Sequence, residues 1–112
     1  LVPFVVFLRL ANQARLRPGF SYFNLMEKTQ HLWKEQERAL RRSFTFPTFM
    51  KAIDFVNEVA ALSEQQHHHP NIHVDYTCVR LSLSTHDAGS VVTQKDHVLA
   101  AAIDLLYQEY CL

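Results

Sequence analysis

The sequence predicts an α+β domain with two layers, in which a four-stranded, mainly antiparallel sheet carries helices on one face in the order ββαββα. Apolar residues recur at helical spacing over residues 47–66, and apolar and polar residues alternate over residues 39–46 and 79–86. A capping-box pattern at residues 93–96 begins a last helix. With 112 residues, 48% of them hydrophobic, the chain is long enough for one such domain.

The first two strands are predicted between Trp33 and Phe46. Alternate positions from Leu40 onward are mostly apolar, as expected of a strand with one buried face. A turn is predicted near residues 35–37, in a segment without the glycine of most tight hairpins. A weak helical pattern at residues 20–32 predicts an additional N-terminal helix. The nearby basic residues are predicted to lie on a solvated strand face, and they are Arg38, Arg41 and Arg42.

The first long helix is predicted from Pro47 to about Gln66. Proline suits the first turn of a helix, because the N–H that it lacks has no helical partner there. Pro70 forces His69 toward an extended conformation, so the helix must end before it. The apolar stripe expected to face the sheet consists of Phe49, Ala52, Ile53, Val56, Val59, Ala60 and Ser63.

Residues 72–86 predict one bent strand or two short strands, and residues 87–90 predict a turn. Alternation places the apolar side chains against the helices and His86 on the polar face at the strand end. The final helix should end near Tyr110. The strand residues expected to face the helices are Val79, Leu81 and Leu83, and the helix residues expected in the core are Val98, Leu99, Ala102, Ile103, Leu105 and Leu106.

Charge and cysteine content limit the classes of function. The net charge is zero, and residues 27–112 hold eight Lys and Arg against eleven Asp and Glu, a net of −3, which gives no footprint for nucleic acid. Two cysteines form neither a disulfide framework nor a metal-binding spacing, which favours a reducing, cytoplasmic location.

Residues 1–26 are predicted to be a divergent N-terminal extension, and residues 27–112 a single domain. The apolar run at residues 1–10 is too short to span a bilayer, and its Arg-containing, acid-free continuation leaves an organellar transit-peptide remnant as the alternative.

Histidines and carboxylates are concentrated between residues 64 and 96. A metal site is the weaker interpretation, because consecutive histidines rarely reach one ion and no structural-zinc spacing is present. Acid–base chemistry fits better, since a helix end delivers His68 and His69, a strand end delivers His86, and histidine titrates near neutral pH. Glu64, one helical turn before His68, could orient an imidazole. The other histidines are interpreted as surface or core residues, namely His31, His67, His73 and His97.

The motif in this region is Glu-x3-His-His-Pro, followed by an aromatic residue and, after nine more residues, a histidine. Glu64, the run His68-His69-Pro70, Tyr76 and His86 match it. With this motif, the segment from Trp33 to Ile103 resembles the pterin-4a-carbinolamine dehydratases, also known as dimerisation cofactors of a hepatocyte nuclear factor.

The resemblance implies dehydration of a 4a-hydroxytetrahydropterin to quinonoid dihydropterin and water, as a step in tetrahydrobiopterin recycling, with no metal or redox cofactor. His68 and His86 would form the acid–base pair, and His69 would bind and orient the pterin. Backbone groups of Ser84 and Thr85 would meet the pyrimidine edge. The remaining substrate-binding or supporting positions would be Glu64, Pro70, Asp87 and Asp96.

Two alternatives accompany this interpretation, a non-catalytic dimerisation coactivator or assembly factor and a metal-dependent enzyme built on the histidines. The expected partners are a pterin, a second or further copies in a homodimer or homotetramer, and a transcription factor or hydroxylase. No membrane or direct nucleic-acid partner is expected. One more residue than usual separates Gly89 from Asp96, so Asp96 could support a histidine or serve the capping box alone.

Overall fold

The structure is a computed structural model that describes residues 32–111. Its elements are β1 (Lys34–Gln36), β2 (Ala39–Thr45), α1 (Phe49–Gln66), β3 (Asn71–Asp75), β4 (Cys78–Leu83), a 3-10 helix (His86–Ala88) and α2 (Gln94–Gln108). The predicted extension over residues 1–26, its boundary with the following domain, and the helix predicted upstream of residue 32 lie outside the described residues.

The four strands form one sheet in the order β1-β2-β4-β3, and every neighbouring pair is antiparallel. The predicted α+β architecture with the order ββαββα is confirmed. Leu40 pairs with Leu83 and Phe44 with Val79, so that the buried side chains of β2 and β4 share one face. Within residues 32–111, neither helix is long and apolar enough to cross a membrane.

The hairpin between β1 and β2 turns at Glu37 and Arg38, later than the predicted turn at residues 35–37. Both residues have positive φ, 52° and 65°, which is the backbone of the two-residue turns that usually carry Asn-Gly. Arg41, four residues after Glu37, approaches its carboxylate at 3.6 Å, and both side chains are exposed. Because the turn uses non-glycine residues in the left-handed region, glycine content could not locate it.

Helix α1 packs on the sheet through a face rotated from the predicted stripe. Phe49 and Ala60 were predicted to be buried and are exposed, whereas Phe55 and Leu62 are buried and lay outside the prediction. The helix is oriented by the ring of Phe55, whose centroid lies 5.0–5.8 Å from four other aromatic rings. Those rings belong to Phe44, Phe46, Tyr107 and Tyr110.

A buried carboxylate in α2 is hydrogen-bonded to β2 and to the residue before β1. Asp104 is 4% exposed and accepts hydrogen bonds from Trp33 Nε1 at 2.9 and 3.0 Å and from Arg42 Nη1. Burial raises the pKa of Asp104 to about 6, although Arg42 and Trp33 favour the charged form. The prediction that Arg42 lies on a solvated face is therefore wrong, because Arg42 lies on the core face of β2 and its guanidinium stacks 4.5 Å from the Phe44 ring centroid.

The opposite face of the sheet is polar and open within the described chain, as predicted for a face not covered by helices. A concavity of about 840 Å³ lies on this side. Its polar lining residues include Lys34, Arg41, Ser43, Asn71, His73, Arg80 and Ser82. It is distinct from the histidine cluster, which lies where α1 ends and β4 leaves the sheet.

Candidate active site

The C-terminus of α1 determines where the consecutive histidines go. His67 adopts the left-handed conformation, with φ 52°, and its N–H donates to the carbonyl of Glu64. The N–H of His68 donates to the carbonyl of Ser63 at 3.1 Å, which completes a Schellman motif. This reversal separates the environments of two neighbouring side chains, because His68 is 11% exposed and His69 is 61% exposed.

His68 contacts a fully buried carboxylate. Its Nε2 lies 2.5 Å from Oδ1 of Asp96, the third residue of α2, whose side chain is 0% exposed. Asp96 also completes the capping box, since its Oδ2 accepts the backbone N–H of Thr93 at 2.9 Å. The two alternatives for Asp96 are thus combined in one side chain, which supports the start of α2 and contacts an imidazole.

The loop before α2 accommodates the extra residue that left the role of Asp96 open. The chain forms the short 3-10 helix after Thr85, turns through Gly89 at φ 86°, and returns to pair Thr85 with Val91 in an isolated bridge. Thr93 consequently starts α2 beside the end of β4, and Asp96 reaches His68.

The side chain of Thr85 contacts Asp96 and Thr93, whereas the prediction had assigned a role only to its backbone. Its N–H donates to Val91 O at 2.9 Å, and its carbonyl accepts the N–H groups of Ala88 and Ser90. Both backbone groups of Thr85 thus have partners within the chain, and the contact of its backbone with a pterin stays a prediction. Thr85 is 6% exposed. Its hydroxyl lies 2.9 Å from Asp96 Oδ2 and 2.6 Å from Thr93 Oγ1.

Glu64 pairs with a different histidine from the one predicted. Its Oε2 lies 3.4 Å from Nε2 of His69, and the two side chains are 72% and 61% exposed. The helical i, i+4 relation to His68 is lost because α1 ends at Gln66 and His67 reverses the chain. The contact with His69 is a solvent-exposed ion-pair geometry of small energetic weight, about 0–1 kcal/mol when His69 is charged.

The prediction had extended the strand to His86. In the structure His86 belongs to the 3-10 helix, three residues beyond the end of β4 at Leu83. The side chain is exposed, and its Nδ1 lies 3.3 Å from Ser90 Oγ. Asp87 is exposed next to it, and Ser84 is half-buried. His86 directly follows Thr85, whose hydroxyl donates to Asp96 Oδ2, so the chain places His86 next to a partner of Asp96.

The remaining motif residues lie at the two ends of the β3–β4 hairpin. Pro70, half-buried, immediately precedes β3, and the pairing of Asn71 with Ser82 brings it near the end of β4. Tyr76 lies at the opposite end, in the turn after β3, where it is 82% exposed. A strand of this length, about 3.3 Å per residue, keeps Tyr76 away from the histidines.

The chemistry available at this end of the sheet is proton transfer. One imidazole, His68, is oriented by a buried carboxylate, while His69 and His86 are accessible to solvent. Among the described residues, no group of three or more His, Cys, Asp or Glu side chains is arranged to hold a metal ion. Sequence reasoning missed the hydroxyls of Thr85 and Thr93, although the capping-box pattern had already located Thr93 at the start of α2.

A family model and several relatives match most of this chain. A family model described as pterin 4 alpha carbinolamine dehydratase matches residues 22–106. The chain is 55% identical over 65 residues to "Putative pterin-4-alpha-carbinolamine dehydratase 2" of Gloeobacter violaceus, covering 58% of this chain and 70% of that protein. It is 46% identical over 84 residues to "Putative pterin-4-alpha-carbinolamine dehydratase" of Chloroflexus aggregans, covering 70% of this chain and 88% of that protein.

Two solved structures are similar to the fold. The transcriptional coactivator/pterin dehydratase from Brucella melitensis has a TM-score of 0.63 and 28% identity, covering 70% of this chain and 88% of its own. A pterin dehydratase-like protein identified as a RuBisCO assembly factor in the alpha-carboxysome has a TM-score of 0.60 and 29% identity, covering 70% and 93%. The family match spans most of the sequence and includes the histidine cluster, so this chain belongs to the pterin 4 alpha carbinolamine dehydratase family.

Proposed function

We propose that this protein is a dehydratase that converts 4a-hydroxytetrahydropterin to quinonoid dihydropterin and water by histidine acid–base catalysis, in tetrahydrobiopterin recycling. The observation that carries the proposal is the contact between His68 Nε2 and the buried carboxylate of Asp96 at 2.5 Å. A buried carboxylate beside an imidazole is the arrangement that enzymes use to orient a proton-transferring histidine. Membership of the family supplies the substrate class.

The reaction requires one proton to be delivered and one to be removed. An acid protonates the 4a oxygen, the N5 lone pair forms the C4a=N5 double bond, and the C4a–O bond breaks with release of water. A base then takes the proton from N5, so that the catalyst returns to its starting protonation. His68 and His86 take the acid and base roles, because imidazoles can perform both near neutral pH.

The other predicted residues bind or support. His69, an exposed side chain beside Glu64, orients the pterin at the rim. Pro70 fixes the backbone between α1 and β3. Ser84 and Asp87 lie just after the end of β4, on either side of Thr85 and His86. Asp96 positions His68 and is not required to touch the substrate.

Kinetics of single histidine variants test the proposal. Dehydration of chemically generated 4a-hydroxytetrahydropterin is followed by ultraviolet absorbance for the wild type, His68→Ala and His86→Ala. Each variant should lose about a hundredfold or more in rate. His73→Ala is the matched control, because His73 is exposed on the open face of the sheet and should retain wild-type rates. Equal rates for all four folded proteins would contradict the acid–base assignment.

A second candidate function is an interaction role, as a dimerisation coactivator or assembly factor. Similarity to the RuBisCO assembly factor favours it, as do two large apolar side chains on α1 that are exposed, Phe49 at 52% and Met50 at 64%. This role would use the outer face of α1 and not the histidine cluster. A Phe49→Ser/Met50→Ser variant that keeps dehydratase activity but loses co-elution with a hydroxylase or transcription-factor partner would support a dual role.

We also propose a homodimer or homotetramer in the cytoplasm. Support for an assembly comes from the open polar sheet face and the exposed edge strand β3, and support for the compartment comes from the unpaired thiols of Cys78 and Cys111. Sedimentation velocity at several chain concentrations gives the stoichiometry. A monomer at all concentrations would exclude the assembly.

A further inference from the structure

The hydrogen bonds around Asp96 determine which atoms carry protons. Its Oδ2 accepts two donors, the backbone N–H of Thr93 and the hydroxyl of Thr85, each at 2.9 Å. Its Oδ1 lies 2.5 Å from His68 Nε2. The side chain is 0% exposed, so water does not supply further partners. The protons in the hydrogen bonds around Asp96 can therefore be assigned by counting the donors and acceptors.

The direction of the Thr85–Thr93 hydrogen bond follows from this count. Thr85 has a single hydroxyl proton, which it donates to Asp96 Oδ2. In the 2.6 Å contact between the two hydroxyls, Thr93 must then be the donor. The oxygen of Thr93 is also the acceptor for the backbone N–H of Asp96 in the capping box. The carboxylate thus accepts from the hydroxyl of Thr85 and from the backbone N–H of Thr93.

An ionised carboxylate only accepts hydrogen bonds, so in that state the proton of the 2.5 Å contact must come from His68. We infer that Asp96 and Thr85 hold His68 in the tautomer protonated at Nε2, and that Nδ1 is the ring nitrogen that accepts a proton from the substrate. In the described part of the chain, no hydrogen bond reaches Nδ1. The assignment of the tautomer stands on the hydrogen bonds alone, whereas the proton-accepting role of Nδ1 rests on the proposed dehydratase function.

Thr85 is consequently a positioning residue that acts through Asp96. Its hydroxyl restrains Oδ2, and so directs Oδ1 at the imidazole. Its backbone is fixed independently by hydrogen bonds with Ser90 and Val91. Replacing the hydroxyl by a methyl group should therefore leave the loop in place while it releases the carboxylate. Thr85→Val removes the hydroxyl at nearly constant volume, and Thr85→Ser retains it.

Nitrogen-15 NMR of histidine-labelled protein tests the tautomer directly, at about pH 8, where an ordinary imidazole is neutral. His68→Gln identifies the His68 signals. In the wild type, Nε2 should be protonated, with a proton that exchanges slowly with solvent, and Nδ1 should be unprotonated. The exposed His73 serves as the internal control and should show rapid exchange. Protonation of Nδ1, or an averaged pair of nitrogens, in the wild type would overturn the inference.

The variants test the role of Thr85. Thr85→Val should give an averaged His68 signal and a roughly tenfold lower kcat with little change in KM, and Thr85→Ser should restore both. A Thr85→Val protein with the wild-type tautomer and kcat would overturn the positioning role. If Thr85→Val does not fold, Thr85→Ala takes its place: it also removes the hydroxyl, and a wild-type tautomer and kcat in it would equally overturn the positioning role. Protonated Nε2 without dehydratase activity would contradict the proposed function and leave the tautomer assignment intact, so the two failures are distinguishable.

Discussion

Replacement of Asp104 by Asn should change how the stability of this protein depends on pH. Asp104 is buried beside Arg42 and Trp33, and burial raises the pKa of its carboxyl from the ordinary 3.8 to about 6. A raised pKa means that the folded state binds the proton more tightly than the unfolded chain. The stabilising contribution is complete below about pH 4 and is lost as the pH rises through about 6.

The magnitude follows from the two pKa values. At about 1.4 kcal/mol for each pH unit between them, the free energy of unfolding should lose about 3 kcal/mol from this group between pH 4 and pH 7. Asparagine resembles the protonated acid, keeps an oxygen for Trp33 and carries no charge to desolvate. The difference in unfolding free energy, wild type minus Asp104→Asn, should therefore fall by about 3 kcal/mol over this range.

Urea denaturation at a fixed chain concentration and constant ionic strength measures this difference at pH 4, 5, 6 and 7. Asp54→Asn, an exposed substitution on α1, is the control and should show a nearly constant difference from the wild type. Groups other than the substituted one are the same in all three proteins and cancel in the comparison. A difference between wild type and Asp104→Asn that rises with pH would refute the reasoning, because it would mean that attraction to Arg42 outweighs desolvation.

Three further outcomes are expected. Phe55→Ala should lower the free energy of unfolding by about 3–5 kcal/mol, because Phe55 is 0% exposed. Phe49→Ala should lower it by less than about 1 kcal/mol, because Phe49 is 52% exposed. Equal losses for the two variants in urea denaturation would contradict the orientation of α1. Arg38→Gly should raise the melting temperature, because glycine accepts the positive φ of this turn without strain, and an unchanged or lower value would argue against the turn. Glu64→Gln should change kcat/KM less than about threefold, since its contact with His69 is exposed, whereas a hundredfold loss would make Glu64 essential.

Periodicity in the sequence was sufficient for the elements of the fold. Alternation assigned the buried face of β4 correctly, because the pleat allows only two faces and the odd positions are apolar. The face of α1 was harder to predict. A broad apolar stripe permits several rotations, and the choice depends on the packing of Phe55 against rings that are distant in the sequence. Asp104 had no local signal, since its partners Trp33 and Arg42 are 71 and 62 residues away.

The sequence indicated candidate residues for the site, and not their contacts. The spacing of Glu64, His68 and His86 drew attention to the end of the sheet where His68 contacts Asp96. The pairing of His68 with Asp96 depends on a left-handed residue at His67, and sequence does not favour histidine there over its neighbours. The hydroxyl of Thr85 is visible as a ligand of Asp96 only after the loop before α2 has folded.

The most direct test of the central claim is the rate at which the purified wild-type protein dehydrates 4a-hydroxytetrahydropterin, compared with buffer at the same pH. Acid–base catalysis by His68 and His86 predicts a rate proportional to protein concentration and at least about a hundredfold above buffer at micromolar protein. A folded protein that leaves the buffer rate unchanged would contradict the dehydratase and favour the interaction role.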